Sequence, residues 1–220
     1  PSMMGITAQP RVVDDKIIPV ERFGVRMISM GLLVPEGQPI VWRGPMLNNA
    51  LRQFLGDVAW GELDYLIVDL PPGTGDVQIS LVQLVQVTGA VIVTTPQTVS
   101  LMDARKALEM FHLTNTPVLG IVENMSYFLC PSCGERHEIF SHGGGEAAAR
   151  ELGIPFLGAI PLGIAVREGG DKGIPVTVSH PEAEQSQRFM EIVRTLAGSI
   201  SVQNIEGGGK GEVEIKLGGH

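Results

Sequence analysis

The chain has 220 residues, 44% apolar and 18% charged, with 28 Gly and 15 Pro, a composition that excludes disorder and low complexity and fits one α/β domain. Sixteen basic residues against twenty-four acidic ones give a net charge of -8, which argues against a nucleic-acid or anionic-membrane binder and makes any phosphate site a local one. Two cysteines alone, Cys130 and Cys133, exclude a secreted disulfide framework, and no apolar run reaches the roughly 18 residues of a membrane span. The expectation is a soluble, cytoplasmic protein.

Five nearly continuous apolar runs, residues 25–29, 65–68, 90–94, 118–122 and 156–160, predict buried strands of a parallel sheet. Helical patterns alternate with them, which predicts an α/β fold: a mostly parallel sheet with helices on both faces. Leu101, Ala104, Leu108 and Phe111 recur at helical spacing behind Ser100, a residue suited to capping. Phe189, Ile192, Val193 and Leu196 line a closing helix expected to start near residues 179–181, with Pro181 in its first turn. These patterns predict a domain over residues 1–198 and a flexible Gly-rich tail over 199–220. No internal repeat is present.

Two stretches carry chemistry. The run 64–69 ends in Asp69, so a buried strand is expected to deliver one carboxylate at its C-terminal end, where open α/β sheets bind ligands. Gly73 and Gly75 follow, and their N–H groups can face phosphate oxygens. This is the layout of a Walker-B strand and switch loop, with the Asp orienting Mg²⁺ and the loop sensing a terminal phosphate. The second stretch, Cys130-Pro131-Ser132-Cys133-Gly134, places two thiolates on a tight turn. Three completions are open. His137 and His142 give a zinc site of unusually short spacing; a second copy gives four thiolates suited to Zn²⁺ or a [4Fe-4S] cluster; or the pair is a redox dithiol.

Residues 69–76, 93–97, 123–126 and 130–134, together with 140–146, 160–162 and Arg167-Glu168, resemble the Mrp/ApbC family of iron-sulfur cluster carriers. These are relatives of MinD among deviant-Walker P-loop ATPases. The resemblance implies a MinD-like P-loop NTPase fold and a homodimer that bridges one [4Fe-4S] cluster through Cys130 and Cys133. It also implies delivery of that cluster to apo iron-sulfur proteins, with ATP and Mg²⁺ required. By position, Asp69 matches the Walker-B carboxylate and Gly73 the switch glycine. Asn124 matches the residue that reads the adenine edge, and Pro161 and Arg167 fall in the loop lining the base. No G-x-x-x-x-G-K-[ST] loop occurs, so the expectation is a fragment lacking the first strand and P-loop, inactive alone as an ATPase. The rival readings are a zinc-bridged structural dimer of the same fold and a MinD-like positioning ATPase. The second rival is disfavoured by a Gly-rich C-terminal stretch where such relatives carry a basic amphipathic helix.

Overall fold

The computed structural model describes residues 1–33, 44–71, 73 and 75–206. These fall in two compact units, one formed by residues 1–86 with 171–174 and the other by residues 87–170 with 175–206.

The first unit opens with two tight hairpins. Strand β1 (Arg11–Val13) pairs antiparallel with β2 (Lys16–Ile18), and β3 (Val20–Arg22) with β4 (Val25–Met27). Each pair is joined by two residues with positive φ, Asp14 and Asp15 at 48° and 59° and Phe23 and Gly24 at 52° and 75°, the turn whose twist matches that of the flanking strands. Helices α1 (Gly44–Gly56) and α2 (Asp76–Leu84) pack together, burying Leu51 and Leu55 from one and Leu81 and Leu84 from the other.

Two sequence expectations fail in this unit. Residues 25–27 form the second arm of a local hairpin rather than a strand of the main sheet, because the Phe23–Gly24 turn pairs them with their immediate neighbours. The run 65–68 belongs to no ladder among the described residues, and Ile67 is 88% exposed. An apolar strand is buried only when its N–H and C=O groups find partners, and among the described residues no strand pairs with this run.

The second unit is a sheet of β5 (Ala90–Thr94), β6 (Val118–Leu129), β7 (Arg136–His137) and β8 (Phe156–Leu162). Strand β6 is the axis: β5 and β8 pair parallel to it on opposite edges. Phe128 faces both His137 and Leu162, so β7 lies antiparallel beyond β5 on the same edge. Alternation along β6 sends Ile121 to one face and Val122 to the other. Ile121 meets Ile92 and the buried residues Ala104, Leu108, Ala148 and Ala149 of α3 (Thr98–Leu113) and α4 (Gly144–Leu152). Val122 meets Leu157, Ile160 and Ile192 of α7 (Glu184–Glu206), with Phe189 and Leu196 alongside. The expected mostly parallel sheet with helices on both faces is therefore present. Short helices α5 (Ile164–Lys172) and α6 (Val176–Ser179) link β8 to α7.

Details depart from expectation. Ser100 lies inside the first turn of α3, where its hydroxyl accepts the Thr95 N–H at 3.0 Å, 2.9 Å from Thr94 Oγ1; it ties strand to helix instead of capping. Pro181 precedes α7, whose first residue is Glu184. The helix continues past residue 198 to Glu206, since Leu196 and Ile200 prolong its half-buried apolar stripe. Residues 207–220 of the expected tail lie outside the described residues. Among the described residues no helix is long and apolar enough to cross a membrane.

Candidate functional site

Both cysteines sit on the hairpin that joins β6 to β7. Its ladder has two pairs, Phe128 with His137 and Leu129 with Arg136. The loop is closed by backbone bonds: the Cys130 N–H donates to Glu135 O at 2.9 Å and the Gly134 N–H to Cys130 O at 2.8 Å. Gly134 has φ 73°, a conformation natural to glycine at such a turn. Cys130 is half-buried and Cys133 exposed, and both are free thiols. The backbone N–H groups of Ser132 and then Cys133, aimed at the Cys130 sulfur, hold that thiol below its ordinary range, with the Cys133 side chain adding to the effect. Donors aimed at sulfur favour the thiolate, the form that binds metal.

The two histidines that sequence offers as completing ligands face carboxylates. His137 Nε2 lies 3.8 Å from Glu135 and His142 Nδ1 lies 3.1 Å from Glu138. Among the described residues no group of three or more His, Cys, Asp and Glu is placed to hold a metal ion. The thiol pair is thus brought together as two donors at an exposed tip.

Six residues before Cys130, the same strand carries Asn124. Its Oδ1 accepts the N–H of Met125 at 2.9 Å, and Met125 adopts φ 53°, a left-handed conformation that is rare for such a side chain. Here the ladder with β8 slips: Asn124 pairs with Ile160 and Phe128 with Leu162. Pro161 is buried in β8, next to the partner of Asn124, so the structure brings these two expected site residues onto adjacent strands. Arg167 lies exposed on α5, 3.2 Å from Glu168.

Glu123, which sequence reasoning passed over, anchors the middle of β6, at the last pair of its ladder with β5. It is 1% exposed. Its Oε1 accepts the Ser126 hydroxyl at 2.5 Å, and its Oε2 accepts the N–H of Gly145 in the first turn of α4. A carboxylate at a helix start meets unpaired N–H groups and the positive end of the helix dipole. A Cβ at Gly145 would lie 2.9 Å from Glu123 Oε2, so glycine is what permits the approach. The signal was available: one charge embedded in an apolar strand run.

In the first unit, Asp69 is exposed on the irregular segment that follows residues 65–68. The expectation that a buried strand presents it is therefore corrected. Gly73 has φ 101° and Gly75 caps α2, while Pro72 and Thr74 lie outside the described residues. The loop is pinned by Gln78, another residue the sequence did not advertise. Buried at 4% exposure, its Nε2 donates to Pro71 O at 2.8 Å and Gly73 O at 2.9 Å.

Comparison with known proteins identifies the family and the fold. The family model for NUBPL iron-transfer P-loop NTPases, of the ParA type, matches residues 1–197. An iron-sulfur cluster carrier protein of Synechocystis sp. is 51% identical over 208 residues, 92% of this chain and 59% of the relative. A solved nucleotide-binding protein of Archaeoglobus fulgidus, in complex with ADP, is similar with TM-score 0.67 and 38% identity, over 84% of this chain and 72% of that one. The cell division ATPase MinD of Pyrococcus furiosus shares the fold, with TM-score 0.52 and 22% identity over 71% of this chain and 59% of its own. The chain spans 54 to 59% of the length of the carrier proteins of Synechocystis, Deinococcus radiodurans and Aquifex aeolicus. The match over residues 1–197 makes the chain a member of the NUBPL iron-transfer P-loop NTPase family.

Proposed function

We propose that this chain provides the cluster-holding part of a cytoplasmic, homodimeric, ATP-dependent iron-sulfur cluster carrier. In this reading Cys130 and Cys133 from each of two copies hold one [4Fe-4S] cluster as cargo for apo iron-sulfur proteins. The observation that carries it is the hairpin tip: two free thiols on one closed turn, Cys130 favoured as thiolate and Cys133 exposed. Four thiolates around a two-fold axis match the ligand count of such a cluster.

The nucleotide roles follow the same reading. Asn124 has an amide that both donates and accepts, as an adenine edge requires. Pro161 on the adjacent strand and Arg167 on α5 line the base side. Gly73 offers its N–H to the terminal phosphate, and Asp69 would orient Mg²⁺ through water. The metal, when bound, supplies charge neutralisation at the phosphates. The 220 residues contain no G-x-x-x-x-G-K-[ST] loop, and we infer that the chain by itself does not turn over ATP.

Anaerobic reconstitution with iron and sulfide, followed by metal and sulfide analysis, tests the proposal. The expected result is one [4Fe-4S] cluster per two chains, lost when Cys130→Ala and Cys133→Ala are combined. Retention of the cluster by that double variant, or stoichiometric zinc and no chromophore in the natural chain, overturns it.

A further inference from the structure

The cysteine hairpin is a weak element by its own bonds. Its ladder has two residue pairs, and an isolated pairing of that length contributes little in water. Apolar packing beneath it is incomplete as well: a cavity of about 330 Å³ opens among Tyr127, Arg136, Arg188 and Ile192. What spans this gap is a chain of polar contacts. The Arg136 guanidinium lies over the Tyr127 ring, 3.9 Å from its centroid, and its Nε donates to Glu138 Oε1 at 2.7 Å. Tyr127 is 5% exposed and donates its hydroxyl to Glu184 Oε1, 2.7 Å away at the start of α7. Glu184 lies 3.9 Å from Arg188, which in turn bonds Glu191 at 2.9 Å. Burial, and then the bond to Glu184, push the Tyr127 hydroxyl above its ordinary range, so at neutral pH it stays a donor.

Arg136 also holds a particular place relative to the thiols. It pairs across the ladder with Leu129, the residue before Cys130, and Glu135 beside it accepts the Cys130 N–H. Side chains alternate along a strand, so Arg136 shares the face of Leu129 and Tyr127, opposite that of Cys130, and acts on the turn through the ring and the ladder.

We propose that Arg136, seated on the Tyr127 ring, is the positioning residue of the cysteine hairpin: through that ring it hangs the Cys130–Cys133 turn on α7. A stack of this kind on a half-exposed cation accounts for roughly a three- to tenfold effect on local opening.

Amide hydrogen exchange at Cys130 and Gly134 in the full, metal-free chain tests the positioning. Arg136→Gln and Tyr127→Leu are expected to speed exchange at both amides by that factor. Tyr127→Phe, which keeps the ring, should leave the stack's share of the protection in place. Arg136→Lys should recover only part, since an ammonium does not stack as a planar guanidinium does. Unchanged exchange at both amides in Arg136→Gln with native circular dichroism overturns the positioning.

Discussion

Replacing Glu123 tests whether a buried carboxylate, rather than apolar packing, fixes the middle of β6 against α4. Its two oxygens serve two donors, the Ser126 hydroxyl and the Gly145 N–H. Glu123→Ala strands both, and each unpaired buried donor costs about 1–3 kcal/mol. Removing the side chain adds a void, but Glu123 also lines the cavity of about 330 Å³, so water can reach the vacated space and repair part of the loss. The net expectation is about 2–4 kcal/mol for Glu123→Ala. Glu123→Gln keeps the volume and one acceptor but turns an NH₂ towards the other donor, for about 1–3 kcal/mol. Urea unfolding followed by far-ultraviolet circular dichroism measures both. Amide exchange at Ala147, whose N–H bonds Gly143 O at 2.9 Å, reports the start of α4 in particular. A Glu123→Ala chain within about 0.5 kcal/mol of the natural one, the range of an ordinary surface substitution, would refute the reasoning.

Two further outcomes follow from the geometry. The Cys130 thiol, favoured as thiolate by the Ser132 and Cys133 N–H groups, should alkylate with a pH midpoint below that of the same thiol in the urea-unfolded chain. A depressed pKa means the thiolate's contribution to stability is present above the unfolded value, about 8.5, and is lost as pH falls through the folded one. Coincident midpoints in mass-resolved alkylation would contradict this. Gln78→Ala should free the loop that Gln78 holds at Pro71 and Gly73, raising limited proteolysis within residues 70–75 several-fold, and Gln78→Glu should not rescue it because a carboxylate has no N–H to donate. An unchanged cleavage rate in Gln78→Ala would show the loop is held by other contacts.

Much of the second unit was legible in sequence because its strands are buried on both faces and read as continuous apolar runs. Residues 90–94, 118–122 and 156–160 all lie in strands, and the spacing of Leu101, Ala104, Leu108 and Phe111 marks a helix. The same signal misled at 25–27 and 65–68. Apolar runs report a capacity to be buried, whereas burial also needs a pairing partner, which a run does not specify. At the site, the clustered cysteines and Asn124 were visible through residue type and spacing. Gln78, Tyr127, Arg136 and Glu123 were not singled out, because each acts through a contact with a distant or backbone partner that local pattern does not encode: Glu123 with Gly145, Tyr127 with Glu184.

Between Asn124 and Phe128 strand β6 advances four residues while its neighbour β8 advances two. The surplus is even, and since side chains alternate between faces with a period of two, Phe128 and everything beyond it keep the aim they would have had in an unbroken strand. An odd surplus would turn the cysteine turn to the opposite side of the sheet with every bond within the hairpin intact. Loss of one residue from 125–127 would therefore invert the thiols, whereas loss of two would preserve their direction. Where this chain can present its sulfurs is set by arithmetic along one strand as much as by the chemistry at its tip.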